Sequence, residues 1–167
     1  MAKLQSPPQP KETLVDRLVA SYGDLIFDFC ESLLWDPSHA QIAFREVLKE
    51  LRAGRSANAY KEHERAWVLK VTCDFLRVYA GRHARRLSAS EQIQLDSTEA
   101  VSMRLKHFEF FFHRLTDEEQ ILLLLRDKYG LPYPEISAAL GLPEGSLKIK
   151  RSQALRAMEE WLWGKQT

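Results

Sequence analysis

Residues 134–147 read PEISAALGLPEGSL: a short helix, a tight turn and the opening of a second helix. Pro134 suits a first helical position, where its fixed φ is already helical and its missing amide hydrogen is not needed. Ile136, Ala139 and Leu140 share one face and are expected to point inward. Gly141 supplies the left-handed residue that ends the helix, and Leu142 plugs the corner. The next helix is expected to bury Leu147, Ala154, Leu155 and Met158, leaving Ser146, Lys148, Ile149, Lys150, Ser152 and Gln153 on its outer face. A helix of this width fits the major groove of DNA, with its N-terminal half on base edges and its cations near phosphates. The pattern predicts a DNA-reading helix-turn-helix, with an ordinary helical hairpin as the alternative.

Upstream, Thr116-Asp117-Glu118-Glu119 forms a capping box, in which the threonine oxygen and the Glu119 carboxylate satisfy amides at a helix start. Its helix carries Ile121 to Leu125 and ends at Gly130, before the break at Leu131-Pro132-Tyr133-Pro134. Val101, Leu105, Phe108, Phe112 and Leu115 form an earlier apolar stripe at 4-3-4-3 spacing. Phe108-Glu109-Phe110-Phe111-Phe112 holds more aromatics than one face can bury, so Phe110 or Phe111 is expected to contact the other lobe or an inhibitory partner.

In the first half, Leu14, Val15, Leu18, Val19 and Tyr22, then Leu25, Ile26, Phe29, Cys30, Leu33 and Leu34, recur at helical spacing as far as Trp35-Asp36-Pro37. A second helix is expected from about Ser38 to Leu51, with Ile42, Val47, Leu48 and Leu51 inward. A third runs from about Arg65 to Arg86, with Trp67, Val71, Phe75 and Val78 on one face and Lys70 and Arg77 on another. No alternating strand pattern occurs. The chain reads as all-α: two small helical domains joined by a linker. The expected divisions are a tail over 1–12, a helical domain over 13–87, an acidic linker over 88–99 and a helix-turn-helix domain over 100–167.

The 167 residues are 45% hydrophobic and 28% charged, which is globular composition and excludes a disordered or membrane-embedded chain. The longest apolar run, Ile121 to Leu125, is too short to span a bilayer, and the opening MAKLQSPPQPKE lacks the apolar core of a secretory signal. A net charge of +1 excludes a uniformly basic nucleic-acid binder, but the charge is segregated. Glu12 to Leu51 carries a net −5, Tyr60 to Arg86 a net +4, Leu87 to Glu99 a net −3 and Glu144 to Arg156 a net +3. Two basic elements separated by an acidic stretch can steer a protein onto phosphates even when the total is near zero.

Other chemistries find little support. Cys30 and Cys73 sit in apolar surroundings and read as buried thiols in a reducing cytoplasm. His39, His63, His83, His107 and His113 show no i, i+3 or i, i+4 pairing and there is no Cys-x-x-Cys, so no metal or other cofactor is expected. No phosphate loop or nucleophile-plus-base constellation points to an enzyme. Trp35, Trp67, Trp161 and Trp163 read as core or capping residues, with one of the last two exposed.

The stretch LTDEEQILLLLRDKYGLPYPEISAALGLPEGSLKIKRSQALRAMEEWL resembles the C-terminal, −35-binding domain of extracytoplasmic-function (ECF) sigma factors. Tyr133, Glu135, Ile136 and Ser137, then Gly145, Ser146, Leu147 and Lys148, stand at the positions of that family's motifs. The stretch ERAWVLKVTCDFLRVYAGRHARR resembles the family's promoter-melting helix, opened by a tryptophan and closed by an arginine-rich end. Together with Tyr22 to Arg52, the resemblance covers nearly the whole chain outside the tail and linker, with both lobes in the family's order.

The resemblance implies a non-enzymatic, cytoplasmic factor that binds core RNA polymerase and promoter DNA, and it admits an anti-sigma factor as a further partner. By the same resemblance, Ser146, Lys148, Ile149, Lys150, Arg151, Ser152 and Gln153 would read the −35 element. Melting at the −10 element would fall to Trp67, Lys70, Arg77, Arg82, Arg85 and Arg86, with Asn58 and Tyr60 in a base-capturing loop. The clamp-binding helix departs from the family, since His39, Gln41 and Ile42 replace acids and only Glu46 matches cleanly. Polymerase binding would then rest on His39, Gln41, Ile42, Arg45, Glu46 and Glu50. The departure also leaves room for a sigma-like DNA-binding regulator, or a protein that titrates a partner, without normal polymerase binding. At the recognition helix, Arg151 stands where the family packs a small or aliphatic residue, and its stem is expected to carry the guanidinium out toward phosphate.

Overall fold

A computed structural model describes residues 13–54, 64–83 and 111–163, which form helices joined by turns and short irregular segments, without a strand. The expected tail, the linker and most of the 101–115 stripe lie outside the described residues. Helix α1 spans Leu14–Leu34, α2 Pro37–Ala53 and α3 Glu64–His83. In the second half, α4 spans Asp117–Leu123, α5 Tyr133–Leu140 and α6 Glu144–Trp163.

Local chemistry sets the ends of α1 and α2. Thr13 Oγ1 accepts from the Asp16 amide at 3.2 Å while the Asp16 carboxylate accepts from the Thr13 amide at 2.9 Å, a complete capping box. Helix α1 runs unbroken through Gly23 and ends on Trp35, a non-glycine residue at φ 53° whose amide reaches the Glu31 carbonyl. Asp36 then caps α2 by accepting from the amides of Ser38 at 2.9 Å and His39 at 3.0 Å, with Pro37 in the first turn. Two residues therefore turn the chain through a helical hairpin.

The same logic holds in the second half until Leu123. Thr116 and Glu119 form the expected capping box at the start of α4. Beyond Leu123 the helix widens into a π-turn over Leu124–Lys128, closed by the Tyr129 amide on the Leu124 carbonyl and the Leu131 amide on the Leu125 carbonyl, both at 2.9 Å. That wide turn aims Asp127 at α6 and both Lys128 and Tyr129 at α1. Helix α5 begins one residue earlier than expected, with Tyr133 first and Pro134 next. Gly141 ends it at φ 66°, where a side chain would be strained.

One contiguous core joins the two halves. Leu18, Ile26, Phe29 and Leu33 of α1 belong to the same apolar cluster as Ala43 and Val47 of α2, Val68, Cys73 and Leu76 of α3, and Ile121, Leu125, Ile136, Leu140 and Leu147 downstream. Phe111, Leu115, Leu123, Ala154 and Met158 form a second, smaller cluster. Helix α3 lies between α1 and α2 on one side and α5 on the other.

That position corrects the inward face expected for α3. Val78 is 59% exposed, and the buried residues are Trp67, Val68, Leu69, Thr72, Cys73, Leu76 and Ala80. Thr72 satisfies its hydroxyl on the Val68 carbonyl at 2.7 Å. Two further expectations fail for related reasons. Ile42 of α2 is 44% exposed, because Ala40, Ala43, Val47 and Leu51 take the inward face. Leu155 of α6 is 39% exposed, because it borders an open 580 Å³ cleft against α1, lined also by Trp35, Phe112, Leu124 and Met158.

Candidate nucleic-acid interface

Helices α5 and α6 meet across Gly141, whose amide bonds the Ser137 carbonyl at 2.8 Å while the Ser137 hydroxyl donates to the Leu142 carbonyl at 2.7 Å. With Leu147, Ala154 and Met158 buried, α6 turns Lys148, Ile149, Ser152 and Gln153 to solvent and leaves Ser146 and Lys150 half-buried.

Intramolecular carboxylates engage part of this basic face. Lys150 Nζ lies 3.0 Å from Glu118 of α4. Arg151 donates from Nε and Nη2 to both oxygens of Asp127, at 2.5–3.2 Å. The guanidinium that was expected to reach phosphate instead ties α6 to the π-turn, a correction that follows from the aim of Asp127. Hydrogen bonding to Asp127 raises the Arg151 pKa further, so the guanidinium stays charged. Lys148 Nζ sits 5.4 Å from the centre of the Tyr133 ring, and Arg126 stacks over that ring at 4.8 Å.

On α3, Trp67 is 4% exposed and packs in the core, so it is not placed to stack on a base. Lys70 pairs with Asp74 one turn on, at 3.1 Å. Arg77 faces the second half, donating from Nη2 to the Leu140 carbonyl at 3.0 Å and lying 3.9 Å from Glu118, while its Nε is buried without a hydrogen-bond partner. Arg65 lies 3.4 Å from Glu135 of α5. Arg82 is exposed at the far end of α3. Asn58, Tyr60, Arg85 and Arg86 lie outside the described residues.

The expected polymerase-facing residues divide in the same way. Gln41, Ile42 and Arg45 are exposed on α2, while Glu46 and Glu50 are half-buried, Glu46 pairing with Lys49 at 2.5 Å. His39 turns inward. Its Nδ1 is 3.0 Å from the Tyr79 hydroxyl and its ring stacks on His83 at 4.8 Å. Two histidines expected to stand apart are thus brought together from different helices. Among the described residues no group of three or more His, Cys, Asp or Glu could hold a metal ion.

The two halves are fastened by polar contacts that no sequence spacing announces. Tyr129 donates to Asp28, and Lys128 lies 2.8 Å from both Asp28 and the Ser32 hydroxyl. Lys128 and Tyr129 hold the Asp28 carboxyl below its usual range against the opposing effect of burial. Trp35 stacks on His113 with ring centres 4.8 Å apart and planes 9° from parallel. Phe111, one of the two aromatics expected to mark a contact surface, is 1% exposed inside the smaller cluster, and Phe110 lies outside the described residues. Sequence reasoning missed Asp28, Glu118, Asp127 and Glu135 as partners because they lie 24 to 100 residues from the cations they engage.

Among the described residues no helix is long and apolar enough to cross a membrane. Compared with known families, residues 112–158 match the model described as "Sigma-70, region 4". No curated protein matches the chain.

Proposed function

We propose, from the region 4 match over residues 112–158, that the chain is a sigma-70-family initiation factor of the extracytoplasmic-function type. It binds core RNA polymerase in the cytoplasm, directs it to promoters and carries out no chemistry of its own. The unit over 100–167 reads the −35 element through Ser146, Lys148, Ile149, Lys150, Ser152 and Gln153, with Arg151 holding α6 in place. The unit over 13–87 opens the −10 element through Lys70, Arg77 and Arg82 of α3, joined by Asn58, Tyr60, Arg85 and Arg86. Gln41, Ile42, Arg45, Glu46 and Glu50 of α2 face the polymerase, and 88–99 links the two units.

The observation that carries this reading is a helix-turn-helix lying inside the region 4 match with the groove-facing side of α6 open to solvent. A helix so presented can enter a major groove without rearranging the core beneath it. Two measurements test it. Immobilised full chain should retain core RNA polymerase at low salt. Replacing Lys148 and Lys150 by Ala should weaken duplex binding and lower its salt dependence, by a slope of about 0.9 for each phosphate no longer neutralised. Unchanged binding in that variant counts against a DNA reader.

One feature of α2 favours a second reading. Its only cleanly matching acid, Glu46, is engaged by Lys49, and the neighbouring exposed side chains are Gln41, Ile42 and Arg45. On that reading the chain is a sigma-like regulator that binds duplex DNA and leaves core polymerase unretained.

A further inference from the structure

Ile149 is 61% exposed, more than any other large hydrophobic among the described residues, and it stands on the open side of α6. Ile149 takes no part in the inward face, which Leu147, Ala154 and Met158 supply. Its surroundings narrow what it can meet. Lys150 and Arg151, which follow it, are engaged by Glu118 and Asp127, and Lys148 leans over the Tyr133 ring. Beside it stand two neutral exposed groups, Ser152 and, one turn beyond Ile149, Gln153, with the exposed Arg156 following on the next turn.

In the major groove, the thymine C5-methyl is the apolar group on a base-pair edge, and an adenine N6/N7 edge matches a side-chain amide in two hydrogen bonds. Four residues of helix advance about 6 Å, and one base step about 3.4 Å, so Ile149 and Gln153 reach bases no more than two steps apart.

Resting on the region 4 reading above, we infer that α6 selects an A·T-containing element. Ile149 packs on a thymine methyl and Gln153 takes an adenine edge within two base pairs of it. Lys148 approaches the flanking phosphate and contributes affinity without sequence preference.

The test is selection from a duplex pool with a randomised segment, using the full chain alone and the full chain with core RNA polymerase. It is followed by binding to the selected duplex with single thymines replaced by deoxyuridine, which removes only the methyl group. At one position the replacement should weaken wild-type binding about fourfold, the worth of one buried methyl. It should have no effect on Ile149→Ala and an intermediate effect on Ile149→Val, while Gln153→Ala should relax the adenine preference nearby. A selected element in which no uracil replacement matters, or in which Ile149→Ala keeps the full methyl effect, overturns this inference and leaves the DNA-reading role standing. Failure to enrich any sequence in either arm overturns both.

Discussion

Trp67 opens α3 where a base-stacking ring and a core ring would show the same helical spacing. Only its neighbours decide between them, and the structure surrounds it with the residues of the main core. Trp67→Ala should therefore cost about 3–5 kcal/mol of stability, measured by chemical denaturation. A ring that served only to stack on DNA would cost little. Cys30 and Cys73 were legible as packing residues from their apolar flanks, and burial pushes both thiols up to about 12. A raised folded-state pKa means that the native chain holds these protons more tightly than the unfolded chain. Their contribution to stability is complete below the unfolded thiol value of about 8.5 and is lost as pH climbs from there toward 12. Denaturation midpoints should fall over that window. Alkylation of the native chain at neutral pH should be no faster than unfolding.

At the scale of elements, legibility followed the range of the interactions. The helix-turn-helix, the capping box at Thr116 and the stop at Trp35-Asp36-Pro37 rest on contacts within five residues, and all stand where the sequence places them. Helix α3 did not yield its inward face, because it is covered from two sides and apolar periodicity assumes one. The π-turn was also invisible, since its widening leaves the residue types unchanged while redirecting Asp127, Lys128 and Tyr129. Gly141→Ala tests the hinge between α5 and α6. A side chain at its φ of 66° costs about 1–2 kcal/mol, so the variant should melt earlier and bind duplex less tightly at a given temperature.

For the molecule as a whole, the two halves do more than share a tether. Each alone is near the size at which a core becomes marginal, and the continuous cluster through α1, α3, α5 and α6 supports both. The same packing sets the electrostatics of the cations on α3 and α6. Arg65, Arg77 and Lys150 face Glu135, the Leu140 carbonyl and Glu118, so phosphate must compete with the protein's own acceptors. The Arg65 and Lys150 pairs lie at the surface, where such pairs are worth about 0–1 kcal/mol each, small enough for a phosphate to displace. Glu118→Ala with Glu135→Ala should raise duplex affinity and steepen its dependence on salt, read by fluorescence anisotropy across a salt series. Equal affinity for wild type and variant would mean that these cations do not meet phosphate. No charge count along the chain could have foreseen this arrangement, because it arises from contacts between halves.

Run-off transcription by core RNA polymerase on a genomic fragment library, with and without the full chain, puts the initiation role itself to the test. Discrete start sites should appear only when the chain is added, and they should disappear with Lys148→Ala, Ile149→Ala and Gln153→Ala combined on α6. Initiation that does not depend on the chain, or start sites unmoved by that triple substitution, would mean that α6 does not direct polymerase to promoters.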